Sequence, residues 1–123
     1  MMNFYKCAEC LSVVMEIVPG EPAEAKTFQE LHANSTDASG EKHVPALSQD
    51  GDKVTVKVGE IEHPMLDEHY IMWIFVETKQ GGCLKKLSPG EKPEAEFCLS
   101  PGDKPVAAYA YCNLHGLWKA EWK

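Results

Sequence analysis

The sequence lacks any apolar stretch approaching the roughly 20 residues that a transmembrane helix needs. Its longest apolar run near the N-terminus, Leu11 to Val18, is broken by Ser12 and Glu16. That run also lacks a cationic flank and a small-residue cleavage site, so it does not read as a secretory leader, and a cytoplasmic location is expected. Cationic charge is scarce: 12 Lys and Arg against 19 Asp and Glu give a formal net charge of -7. Nucleic acid and anionic membranes are poor partners for such a chain. An anionic substrate would have to be drawn in by a local field. Cysteine is absent between Cys10 and Cys83. In a reducing compartment the five Cys (Cys7, Cys10, Cys83, Cys98, Cys112) read as thiols or metal ligands rather than disulfides. Asn34-Ser35-Thr36 fits a glycosylation sequon, but without secretion it is loop chemistry.

What is present suits one globular domain with a small N-terminal appendage. The chain has 123 residues, 44% hydrophobic and 25% charged, enough for a real core. Lys53 to Val58 alternates strictly, with Val54, Val56 and Val58 on one face, as in a half-buried strand. Tyr70 to Val76 reads as a central strand, and Glu94 to Leu99 and Val106 to Cys112 as two more. Two near-copies of one turn, Leu87-Ser-Pro-Gly-Glu-Lys-Pro93 and Leu99-Ser-Pro-Gly-Asp-Lys-Pro105, lie twelve residues apart. Pro-Gly fits the centre of a type II turn, and the offset is a strand-plus-turn period. One helix is expected, over Pro22 to Ala33. Ala33 to Gly40 is a loop by composition, so residues 1–35 form an N-terminal segment and 36–123 the β-rich domain. The expected fold is all-β: an antiparallel, immunoglobulin-like sandwich of about seven strands.

The chemistry gathers around histidine. His43, His63, His69 and His115 all stand in polar, turn-like settings. His63 precedes Pro64, which biases it to extended backbone. Cys112 and His115 form a Cys-x-x-His pair that can place thiolate and imidazole on one ion. A lone His of this kind is more often a solvated surface residue; it is the combination of four His with one Cys that points to a site. Five N/S donors are one too many for closed tetrahedral zinc and suit an ion taking five or six ligands, which favours iron. A thiolate opposite an open position would supply electron donation for redox chemistry on a small oxygen species. Cys98 reads as plain core and Cys83, beside Gly81-Gly82, as an exposed loop thiol.

The motifs Glu41-Lys42-His43-Val44-Pro45, His63-Pro64-Met65 with His69, and Tyr111-Cys112-Asn113-Leu114-His115-Gly116-Leu117-Trp118-Lys119 resemble those of superoxide reductases, the desulfoferrodoxin and neelaredoxin family. The resemblance covers about residues 35–123, with motif order and spacing both matching. It implies one mononuclear non-haem iron with His43, His63, His69 and His115 equatorial and Cys112 axial. It also implies that Lys42 sits over the open position and attracts superoxide, and that Glu41 occupies the sixth position once the iron is oxidised. The implied reaction is one-electron reduction of superoxide to hydrogen peroxide, with re-reduction by a rubredoxin-like electron donor. A homodimer is compatible with the family.

The pattern departs from the family at the N-terminus. Cys7-Ala-Glu-Cys10 resembles half of the rubredoxin-like site of desulfoferrodoxins, and the other half is missing. One chain cannot close a Cys₄ site with two thiolates, so no second iron is expected. Cys7 and Cys10 are then free thiols, a reversible disulfide, or half of a site shared across a dimer. Three rival functions stand beside the iron reading. A blue-copper module would use Cys112 and His115, but no Met follows them. Structural zinc on Cys7, Cys10, Cys112 and His115 is permitted by spacing, but leaves His43, His63 and His69 unexplained. A binding domain that has lost catalysis would not need all five donors and the Glu41-Lys42 pair.

Overall fold

The computed structural model describes residues 2–20 and 27–123. The chain divides into two compact units, Met1–His32 and Ala33–Lys123.

In the first unit β1 (Asn3–Cys7), β2 (Val13–Glu16) and β3 (Phe28–Glu30) form an antiparallel sheet in the order β2-β1-β3. The helix expected over Pro22 to Ala33 is corrected here. Its described part contains β3, with Cys7 opposite Phe28, Ala8 N donating to Thr27 O (3.1 Å) and Leu31 N to Phe4 O (2.8 Å). The free edge of β1 offers a ladder of backbone partners. That outweighs the weak apolar spacing of Phe28 and Leu31. Residues 21–26, the start of that expected helix, lie outside the described residues.

The second unit opens with a single helical turn, α1 (Gly40–His43). Seven strands follow: β4 (Pro45–Asp50), β5 (Lys53–Val58), β6 (Ile71–Thr78), β7 (Gly81–Lys86), β8 (Glu94–Cys98), β9 (Pro105–Cys112) and β10 (Gly116–Glu121). They form two antiparallel sheets, β10-β9-β6-β7 and β4-β5-β8. The result is the expected immunoglobulin-like sandwich, with its fourth strand on the same sheet as its third. Only Lys79 and Gln80 separate β6 from β7, and so short a link folds the chain straight into a hairpin with Thr78 opposite Gly81.

The alternating valines of β5 and Ala95 of β8 fill one side of the core; Ile74 and Val76 of β6 with Ala108, Ala110 and Cys112 of β9 fill the other. Both Pro-Gly turns are type II. Gly90 and Gly102 take φ +89° and +82°, and the closing bonds run from Glu91 N to Ser88 O (3.2 Å) and from Asp103 N to Ser100 O (3.0 Å). Two cysteines are corrected. Alternation along β8 turns Ala95 inward and leaves Cys98 exposed. Cys83 lies in β7 rather than a loop, opposite Val76 and half-buried against the core.

Strand register assembles one end of this sandwich. Pro45 pairs with Val58, while Cys112 pairs with both Ile71 and Gly116. The start of β4, the end of β5, the start of β6, the end of β9 and the start of β10 therefore meet there. A register shift between Ile71 and Trp73 bends β6, so Ile71 and Ile74 are both buried in the core despite their odd spacing.

Candidate metal centre

Each of these strand ends delivers a donor. His43 closes α1, His63 and His69 lie between β5 and β6, Cys112 ends β9, and His115 sits in the turn to β10. The four imidazoles occupy the corners of a near-square. Ring centroids are 4.6 Å apart for His43–His63, 4.7 Å for His63–His69, 5.1 Å for His69–His115 and 4.9 Å for His43–His115, with a 6.3 Å diagonal from His43 to His69. Neighbouring rings stand at 75° to 89° to one another, like vanes of a pinwheel. Donor atoms of His43, His69, Cys112 and His115 all lie within 4.8 Å of each other. His63 joins this set through His43, their Nε2 atoms 3.1 Å apart.

Backbone carbonyls fix which nitrogens face inward. His43 Nδ1 lies 2.7 Å from Ser39 O, and His63 Nδ1 lies 2.7 Å from Pro64 O. A carbonyl only accepts, so both Nδ1 atoms carry the proton and both Nε2 atoms present lone pairs. Two lone pairs facing each other at 3.1 Å repel unless a cation sits between them or one ring is protonated. Protonation is disfavoured: burial pushes His63 down to about 4, and burial likewise lowers His43 and His69. His69 Nε2 is buried with no partner among the described residues. The Cys112 thiol is raised by burial, against the pull of the Leu114 and His115 amides. A thiolate there needs a compensating positive charge, and its Sγ is 3.9 Å from His115 Nδ1. Four inward imidazole nitrogens and one sulfur fit a single cation of high coordination number, as iron is. Neither rival metal reading uses the whole set; the zinc reading also needs Cys112 and His115, which are gathered here with His43 and His69.

Several supports were not legible as such in the sequence. Asn113 latches the His69 turn to the Cys112 turn: its Oδ1 accepts from Tyr70 N (3.0 Å) and its Nδ2 donates to Glu68 O (3.0 Å). The His69 turn is also closed on itself by paired bonds with Leu66 (2.9 and 3.1 Å). Trp118 stacks on His43 at 4.8 Å and donates from Nε1 to His115 O at 3.1 Å. Gly59, at φ +85°, packs where a Cβ would lie 2.6 Å from Lys42 O and 2.4 Å from Ile61 O. The signal for Asn113 and Trp118 was their place inside the Cys112–Lys119 motif; Gly59 gave none.

Glu41 and Lys42 are exposed on α1. The Lys42 charge is felt at His43 and His69, where it disfavours protonation. Glu41 contributes its carbonyl to Ile61 N at 3.1 Å. The fifth histidine, His32, falls in the first unit, as do Cys7 and Cys10.

The Desulfoferrodoxin family profile matches residues 35–121, which carry every one of these donors. The chain belongs to the desulfoferrodoxin family. Among members of that family, a desulfoferrodoxin homologue of Archaeoglobus fulgidus is 41% identical across 98% of this chain and 97% of its own length. The crystal structure of the superoxide reductase from Treponema pallidum shares 33% identity and a TM-score of 0.81, covering 98% of this chain and 99% of that one. A superoxide reductase (1Fe-SOR) from Giardia intestinalis shares 34% identity and a TM-score of 0.57, over 68% of this chain and 98% of its own. The first of these structures spans both units and the second approximates the length of the sandwich alone.

Proposed function

We propose that this desulfoferrodoxin-family chain is a superoxide reductase. It converts superoxide to hydrogen peroxide at one mononuclear non-haem iron, held by His43, His63, His69, His115 and Cys112 and re-reduced by an external donor. The observation that carries the reading is the pair of lone-pair nitrogens of His43 and His63, 3.1 Å apart and both locked by backbone carbonyls. When bound, the iron supplies the single electron that superoxide requires. The protein's own part is to hold five donors rigidly, to keep the imidazoles neutral by burial, and to leave one side open to a small anion. Lys42 is the group that attracts the substrate. The net charge of -7 opposes an incoming anion, but distant charges are screened over about 8–10 Å at moderate salt, so a nearby ammonium dominates at close range. Glu41, its neighbour, would be the carboxylate that binds the iron once it is oxidised.

The same reading makes residues 1–35 a degenerate desulforedoxin-like segment without a second iron. The electron donor is a small rubredoxin-like protein, the setting is cytoplasmic, and a homodimer is compatible with the family. Support for the first point is the count of two cysteines before Cys83. No helix among the described residues is long and apolar enough to cross a membrane.

The test is elemental analysis with a superoxide assay on the same preparation. About one iron per chain, a visible band on oxidation that is lost in Cys112→Ser, and peroxide formed without dioxygen are expected. Dioxygen released alongside peroxide, or copper or zinc at that stoichiometry, would refute the proposal.

A further inference from the structure

The first unit contains a reactive-looking pair that the iron chemistry does not use. Cys7 ends β1, and Cys10 closes the turn that follows. Cys10 N donates to Cys7 Sγ at 3.4 Å, and Leu11 N bonds back to Cys7 O at 3.0 Å with Leu11 at φ +63°. The two sulfurs therefore share one tight turn. Their settings differ sharply: Cys7 is buried and Cys10 is exposed. Cys10 Sγ lies 3.4 Å from Ser12 Oγ. Hydrogen bonds from Ser12 and from the Cys7 thiol favour its thiolate and bring the thiol down to about 7.

We propose that Cys7 and Cys10 form a dithiol that hydrogen peroxide oxidises to an intramolecular disulfide, with the exposed Cys10 as the attacking sulfur and the buried Cys7 as the resolving one. The exposed thiolate is the nucleophile that a peroxide needs. Cys10 sulfur attacks one peroxide oxygen, the O–O bond breaks, and Cys10 becomes a sulfenic acid while hydroxide leaves and takes up a proton. Cys7 sulfur then displaces the hydroxyl group from Cys10 sulfur, forming the S–S bond and a second water. In sum, two thiols and one peroxide give one disulfide and two waters. The oxidant is the product of the reaction proposed above, so the physiological setting rests on that reading, whereas the chemistry of the pair does not. A metal half-site is the competing use of such a pair. Cys7 and Cys10 belong to no grouping of three or more potential metal donors among the described residues, and no cysteine lies between Cys10 and Cys83 to complete one.

The experiment adds hydrogen peroxide directly to the reduced, iron-loaded protein. Free thiols are trapped with an alkylating reagent over time and the peptides weighed. The peptide carrying Cys7 and Cys10 should lose two hydrogens and both alkylation sites about tenfold faster than Cys98, which is likewise exposed, is oxidised. In Cys7→Ser, Cys10 should accumulate as a sulfenic acid captured by a dimedone-type reagent. The proposal is overturned if Cys98 is oxidised as fast as Cys10. It is equally overturned if both N-terminal thiols resist alkylation until a chelator strips a metal from them. Because the peroxide is supplied, a failure to reduce superoxide would leave this result unaffected.

Discussion

For a buried histidine, what the outer nitrogen touches decides what the inner one can bind. Ser39 O and Pro64 O hold the outer protons of His43 and His63, so the inner faces are ready for a cation without prior proton loss. The same burial has a consequence for the metal-free chain. His63 titrates at about 4 when folded and near the ordinary 6.5 when unfolded, and His43 and His69 shift in the same direction. Between those values the unfolded chain binds protons that the folded chain refuses. The stabilising contribution is full above about 6.5 and is lost as pH falls toward 4. Metal-free protein should therefore show a lower denaturation midpoint at about pH 5 than at about pH 7.5 in urea titrations followed by Trp fluorescence. An unchanged midpoint would mean that these rings are solvated. Lys42 works on the substrate rather than on the fold. Lys42→Ala should leave iron content unchanged while slowing superoxide capture roughly tenfold at low salt, with the gap narrowing as salt is added. Stopped-flow rates across a salt series measure both effects, and equal rates at low salt would remove Lys42 from the mechanism.

At the scale of elements, one glycine holds the segment that carries Lys42. Gly59 N donates to Val44 O at 3.1 Å, and Ile61 N to Glu41 O at 3.1 Å, so the turn that follows β5 is stitched to α1 and the residue after it, at Gly59 and two residues beyond. A methyl group there would meet backbone oxygens of Lys42 and Ile61. Gly51 is the natural control: its φ is +62°, yet nothing lies within 4 Å of its would-be Cβ. Gly51→Ala should cost only the left-handed backbone strain, about 1–2 kcal/mol. Gly59→Ala should cost more in thermal stability and should also slow superoxide capture, because Lys42 must move. Equal effects of the two substitutions would show that the contact with Lys42 does not matter. The close approach at Gly59 is a tertiary fact with no local pattern, which is why it could not be read in advance. The strands that alternate, such as Lys53–Val58, were legible because burial of one face writes itself as period two. The four candidate histidines could be singled out because each stands beside a Pro, Gly or charged residue, where a core role is poorly served, and Cys112 because it lies three residues before His115. The N-terminal helix was misread because Phe28–Glu30 is too short for any period, and pairing with β1 decided its conformation. Cys98 was misread because one residue of parity separates the core face of β8 from solvent.

The whole molecule divides its labour between its two units. Every candidate iron donor, the Glu41-Lys42 pair and the supporting Asn113, Trp118 and Gly59 belong to Ala33–Lys123. That unit also closes itself at its beginning. Asn34 N donates to Leu117 O (3.0 Å), its Nδ2 to Lys119 O (3.1 Å), and its Oδ1 accepts from Lys119 N (2.9 Å). These bonds pair the outer edge of β10, which would otherwise expose a ladder of backbone groups. A chain beginning at Ala33 should therefore fold, bind about one iron, and capture superoxide at the full-length rate, since every donor named in the candidate site lies in residues 33–123. A chain beginning at Ser35 loses the Asn34 contacts; its edge strand should fray, with faster amide hydrogen exchange in β10 and a lowered melting temperature. Comparing the two truncations separates the unit boundary from the contribution of the first unit. If the chain beginning at Ala33 binds no iron while folding normally, the first unit takes part in building the centre. If it keeps iron and rate but is re-reduced more slowly by a rubredoxin-like donor, the first unit serves electron delivery, and the Cys7–Cys10 pair would sit on the part of the protein that meets its donor.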